Sequence, residues 1–135
     1  MGKRLALALA ALVLLVRVAA HALGLGNMTM NSALNQPLDA EIELLSVQRG
    51  DLGNLSVRMG TDEDFERVGV IREFFYTGFK FVVVKKPNGD PYIKVSTSKP
   101  IVEPFLDFVV EARWARGRIL REFTVLVDPP ALSEE

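Results

Sequence analysis

The chain has no cysteine and a single histidine, His21. The absence of cysteine excludes disulfides, thiolate metal sites and thiol nucleophiles. Clusters of positive charge are missing too, because 16 Lys and Arg are balanced by 17 Asp and Glu for a formal net charge of −1. Without clustered Lys and Arg there is no electrostatic footprint for nucleic acid and no polybasic patch for anionic lipid. Long apolar runs are equally scarce. The run from Leu5 to Val16 is well short of the roughly 20 residues that cross a bilayer core. No internal repeat, low-complexity tract, phosphate-cradling glycine loop or D-x-D-x-D-G calcium loop is present.

The short apolar run fits the core of a secretory signal peptide. Lys3 and Arg4 form its charged start, and Ala20-His21-Ala22 its small-x-small cleavage site. Removal after Ala22 is expected; the alternative is an uncleaved anchor. Cleavage takes away Lys3, Arg4, Arg17 and His21 and no acid. The mature domain is then more acidic and has neither His nor Cys. That excludes Ser-His and Cys-His nucleophilic catalysis and histidine-ligated zinc, leaving only carboxylate or lysine chemistry. Exported small domains often depend on disulfides; this one must be held by its core.

The remainder reads as strands with one short helix. Asp39 to Leu44 alternates, with Ala40, Ile42 and Leu44 on one side and Asp39, Glu41 and Glu43 on the other, which marks a half-buried strand. A shorter strand is expected before it at Met28 to Leu34, and another at Leu55 to Met59. Leu23 to Gly26 reads as a flexible mature N-terminus. Thr61 followed by Asp62, Glu63 and Asp64 is a helix start, with acids in the positive first turn. Phe65 and Val68 give the helix an apolar side, and Gly69 ends it. Asn88-Gly89 between Pro87 and Pro91 predicts a hairpin of Phe79–Lys85 with Tyr92–Ser98. A longer hairpin pairs Phe105–Trp114 with Arg118–Val127. About seven strands at this spacing predict an all-β, antiparallel, immunoglobulin-like sandwich. The expected boundaries are 1–22 for the signal, 23–130 for the domain and 131–135 for a linker.

Three constellations carry possible chemistry. A turn at Arg116-Gly117 pairs Trp114 with Ile119, Val110 with Phe123 and Phe108 with Val125, and sets Glu111 opposite Glu122. Two carboxylates about 5 Å apart match a retaining glycosidase pair. Arg113 beside Glu111 and the flatness of a hairpin favour a structural charge cluster instead. The string Glu73-Phe74-Phe75-Tyr76 is either an exposed aromatic ledge for a partner or a satellite core under the helix. Acidic groups at Asp39, Glu41 and Glu43 and at Asp62 to Asp64 read as a solvated strand face and a dipole-matched helix start. No metal or cofactor is expected.

The run Ser32-Ala33-Leu34-Asn35-Gln36-Pro37-Leu38-Asp39-Ala40-Glu41-Ile42 resembles the N-terminal domain of the FimV/HubP family. So do Glu63-Asp64-Phe65 with Val68-Gly69-Val70, and the closing stretch from Glu103-Pro104-Phe105 through Trp114 to Asp128-Pro129-Pro130. The resemblance implies a non-catalytic periplasmic scaffold or adaptor concerned with type IV pilus and secretin assembly, twitching motility and polar organisation. Its partners would be envelope proteins. The family adds a peptidoglycan-binding LysM module, a membrane helix and a long acidic region after this domain. This sequence ends at Glu135 without them, so peptidoglycan is expected to be reached only indirectly, and no stable membrane span is expected after cleavage. An uncleaved signal would leave the chain associated with the inner membrane. Either a stand-alone domain or a truncated product is expected. Phe74, Phe75, Tyr76 and Tyr92 are the residues expected to form a partner surface. The alternative function is a small periplasmic carbohydrate-binding or peptidoglycan-binding sandwich, which would stack Phe75, Tyr76 or Tyr92 on a sugar.

Overall fold

The computed structural model describes residues 2–6 and 22–130. Most of the expected signal-peptide core, residues 7–16, and the linker expected at 131–135 lie outside the described residues. Among the described residues, no helix is long and apolar enough to cross a membrane.

The described residues form seven strands: β1 (Gly24–Met30), β2 (Pro37–Leu45), β3 (Ser56–Met59), β4 (Lys80–Lys85), β5 (Pro91–Pro100), β6 (Phe105–Trp114) and β7 (Gly117–Leu126). They pair into two antiparallel sheets, ordered β1-β2-β5-β4 and β3-β6-β7. This is the strand order of a constant-type immunoglobulin sandwich, four strands against three. The all-β, immunoglobulin-like expectation holds.

Alternation along the strands fills the space between the sheets. Leu38, Ala40 and Ile42 of β2 and Ile93 and Val95 of β5 face Leu106, Phe108, Val110 and Phe123 across the core, all of them buried. Each buried aliphatic or aromatic side chain contributes about 1.5–3 kcal/mol. Antibody domains join the strands equivalent to β2 and β6 by a disulfide. Here Ala40, Ile42, Phe108 and Val110 supply only packing.

The α-helix of the sandwich, α1 (Asp62–Val68), is specified by its own ends. Thr61 Oγ1 accepts from the Asp64 backbone N–H while the Asp64 carboxylate accepts from the Thr61 N–H, a reciprocal capping box. Gly69 closes the helix in the left-handed conformation at φ 74°, which glycine adopts without the Cβ penalty. Phe65 is buried as expected. Val68, the last residue of the helix, is about half exposed.

Three local expectations are corrected. Leu23 to Gly26 is not a flexible terminus: Leu23 and Leu25 are buried and β1 begins at Gly24. The strand therefore precedes the expected Met28–Leu34, and Asn35 takes a left-handed turn conformation at φ 67° instead. A bulge between Leu25 and Met28 breaks the alternation that would have revealed β1. Gly26 is required there, since a Cβ would lie 2.8 Å from the Glu43 Cβ.

The third correction concerns the β6–β7 register. The turn is Ala115-Arg116, with Trp114 opposite Gly117, Phe108 opposite Phe123 and Leu106 opposite Val125. Trp114 does not face Ile119; its ring lies beside Gly117. Glu111 sits opposite Leu120, and Glu122 opposite Val109. The two glutamates are not a cross-strand pair. A slip of two residues keeps every side chain on its own face, so alternation cannot separate the two registers. The Phe108–Phe123 ring contact, with centroids 6.0 Å apart, belongs to the observed one.

Candidate functional site

Glu111, on the outer face of the three-stranded sheet, is buried to 1% exposure and ringed by arginines. Arg58 Nη2 approaches its carboxylate at 3.1 Å, and the Nε atoms of Arg113 and Arg118 each approach at 3.2 Å. Arg118 also reaches Asp64 Oδ1 at 3.0 Å, tying α1 to the sheet. Burial pushes the Glu111 carboxyl up, but hydrogen bonds and charge from Arg118 and Arg58 outweigh it and hold the group below the ordinary glutamate range. Asp64 is held low as well, first by the Thr61 backbone N–H and further by Arg118. These are the signs of a structural ion cluster.

The carboxylate that is raised is Glu122. Its hydrogen-bonding neighbour is Asp107, and sharing that contact, together with partial burial and the Asp107 charge, pushes Glu122 above its ordinary value. Asp107 also accepts from Thr124 Oγ1 at 3.4 Å. No cluster of metal-ligating side chains occurs among the described residues.

The aromatic string divides between the two readings the sequence left open. Residues Phe74–Gly78 form a 3₁₀ turn, whose three-residue period sends neighbouring side chains to different sides. Phe74 projects outward at 87% exposure, and Phe75 is half-buried. Tyr76 is only 3% exposed, which removes it from the expected partner surface. Its ring packs 4.6 Å from Phe75, 5.5 Å from Phe79 and 5.6 Å from Phe108. Its hydroxyl accepts the Asp107 N–H at 2.9 Å. On that edge of β6 the Val109 carbonyl is taken by the Gly60 N–H, just past the end of β3. Tyr76 thus continues the ladder where the strand has stopped. Burial raises its hydroxyl above the ordinary tyrosine value. Tyr76→Phe strands one buried N–H and is expected to cost about 1–2 kcal/mol. A urea unfolding midpoint unchanged by the substitution would refute that role.

Phe74 does not stand alone. Ile71 (76% exposed), Val102, Phe105 and Leu126 (72%) are the other exposed large apolar side chains at this end. Phe105 is directly opposite Leu126 in the β6–β7 ladder. Ile71 and Phe105 line one cleft, and Phe74 and Val102 line its neighbour. Sequence reasoning passed over Ile71, Val102, Phe105 and Leu126. The available signal was apolar residues beside Pro100 and Pro104, at strand ends where no inner face remains to receive them. Large apolar side chains left exposed together at one end are unusual on a small domain.

Tyr92 lies elsewhere, on the outer face of the four-stranded sheet between Glu43 and Val84. It lines a polar groove of about 800 Å³ with Asn27, Thr29, Glu41 and Glu43. The Lys86 ammonium sits over its ring, 5.5 Å from the centroid. The structure therefore keeps Phe74 and Phe75 together and separates Tyr92 from them.

A disulfide-free, constant-type sandwich with exposed apolar side chains gathered at one end defines an immunoglobulin-like domain. Residues 23–130 match the family model described as the FimV N-terminal domain, an Ig-like domain, and the chain belongs to that family. Similar proteins include the Motility hub protein FimV of two Pseudomonas aeruginosa strains, PAO1 and UCBPP-PA14. Each is 49% identical over 128 residues, covering 95% of this chain and 14% of the relative. The chain thus spans about one-seventh of the length of these relatives. No solved structure matches it.

Proposed function

We propose that this chain is the exported, immunoglobulin-like recognition domain of a motility hub, acting in the periplasm as a non-catalytic adaptor. Leu5 to Val16 and Ala20-His21-Ala22 would direct export and be removed after Ala22. The domain would bind envelope proteins of the type IV pilus or secretin machinery. The observation that carries this reading is the apolar ledge of Phe74, Ile71 and Phe105 on a domain of the FimV N-terminal family. Phe74 and Phe75 are the contact residues, and Tyr76 holds the ledge to β6 from beneath.

The polar groove around Tyr92 supports a second reading, binding of a glycan such as peptidoglycan. The tagged full chain, offered envelope extract and purified sacculi in parallel, separates the two. Enrichment of pilus or secretin components, reduced at least fivefold by Phe74→Ala, supports the adaptor. Retention on sacculi, lost with Tyr92→Ala and unaffected by Phe74→Ala, replaces it with the glycan module. Retention by neither bait overturns both.

A further inference from the structure

The ledge carries a charge pattern that narrows its partner. Two contiguous clefts share Phe75 and Glu103. The smaller, about 310 Å³, is walled by Phe74, Ile101 and Val102, with Lys99 at its margin. The larger, about 490 Å³, has Val70, Ile71 and Phe105 as its apolar lining and Glu73, Glu103 and Asp107 around it. Glu122 adjoins Asp107. Among the described residues none of these four carboxylates forms an ion pair, whereas Asp62, Asp64 and Glu111 each do. Arg72, the nearest arginine in sequence to Glu73, is committed elsewhere. Its Nε donates to the Gly60 carbonyl at 2.9 Å, and its guanidinium lies 5.7 Å from the centre of the Phe65 ring.

We infer that this end of the sandwich docks a protein segment in which an arginine or lysine adjoins an apolar anchor, the anchor entering the cleft beside Phe74 and Val102 and the cation meeting Glu73, Glu103 and Asp107. This rests on the proposed role of the ledge in protein recognition and specifies its partner's chemistry. Apolar anchors seated in a cleft provide most of the affinity at such surfaces, while rim charges set specificity and steer the encounter. Four carboxylates, none of them in an ion pair among the described residues and facing the single cation Lys99, disfavour acidic peptides and anionic lipid headgroups alike. A bound guanidinium would supply the counter-charge the fold leaves out.

Panning a random linear dodecapeptide library on the immobilised full chain tests the inference without assuming a sequence. The expected result is enrichment of peptides with Arg or Lys beside Leu, Ile, Phe or Trp. A selected peptide should bind at least tenfold more weakly to Phe74→Ser and to the double variant Glu73→Lys/Glu103→Lys, and more weakly as salt rises. Phe74 is so exposed that Phe74→Ser should melt with the parent, which a thermal melt of the two proteins checks. Uncharged or acidic peptides that still depend on Phe74 would overturn the cationic partner while leaving the ledge a protein site. Peptides indifferent to Phe74→Ser, or none at all, would overturn the inference, and the envelope pull-down then judges the adaptor role separately. Self-association abolished by Phe74→Ser would also overturn it, by making the ledge a contact between copies of the chain.

Discussion

Glu111→Ala is expected to destabilise the domain by about 3 kcal/mol, the low end for breaking a buried ion pair. The carboxylate sits among three guanidinium groups, and its removal leaves them repelling one another across a buried gap. Arg58 and Arg113 are more than half exposed and can turn toward water, which limits the loss. Arg118 is less free, since it also holds Asp64. Glu111→Gln preserves the shape and removes the charge, so most of the loss should remain. The pH dependence follows from the direction of the shifts. Glu111 and Asp64 are both held below their ordinary values, so the native state binds fewer protons than the unfolded chain. Their contribution is present above about pH 4.5, near the unfolded carboxyl values, and fades as pH falls through the depressed native ones. Urea unfolding between pH 7 and pH 3 should show a shallower acid loss for Glu111→Gln than for the parent. Equal slopes would refute the cluster's stabilising role.

Arg121→Met is expected to loosen the opposite seam by about 2–3 kcal/mol. Arg121 lies on β7 facing inward, its guanidinium 4.9 Å from the Phe123 ring centre. It donates to the Leu25 carbonyl at 2.7 Å and to the Gly26 carbonyl, with Asn27 Oδ1 at 3.4 Å. These carbonyls belong to the bulge of β1, where the regular ladder is interrupted. Each charge-assisted hydrogen bond contributes about 1.5–3 kcal/mol, and solvent access at the seam lowers the total. Methionine retains the packed stem and loses the donors. The measurable consequence is faster hydrogen exchange at β1 amides together with a lower urea midpoint. An inward-pointing charge also protects sheet edges from other chains, so Arg121→Met should self-associate at concentrations where the parent stays monodisperse. Unchanged exchange in β1 would refute the latch.

How much of this was legible depended on distance along the chain. Thr61, Asp64 and Gly69 specify α1 through contacts a few residues apart, and Asn88-Gly89 specifies the β4–β5 hairpin in the same way. Alternation correctly sorted the inner and outer faces of β2, β6 and β7. It could not fix the β6–β7 register, because a two-residue slip leaves the faces intact. That slip produced the mistaken Glu111–Glu122 pair. The arginines around Glu111 come from β3, β6 and β7, and no local pattern announces their convergence. The ledge was half visible for the same reason. Phe74 and Phe75 stand out in a dense aromatic string, whereas Phe105 comes to share a cleft with Ile71, and Val102 one with Phe74, only once the chain has folded. The 3₁₀ turn decided what composition left ambiguous, turning Phe74 outward and Tyr76 inward.

The Arg121 latch also orders events in time. Arg121 follows Leu25 by 96 residues, so the bulge of the first strand cannot be latched until almost the last strand has been made. Strand β2 waits similarly for β5. Loop-closure entropy must be met before such distant contacts repay it, which makes formation of this sandwich slow compared with that of a helical domain of equal size. β1 can pair with the neighbouring β2 as soon as both exist, but its bulge at Leu25 and Gly26 stays unlatched until β7 is in place.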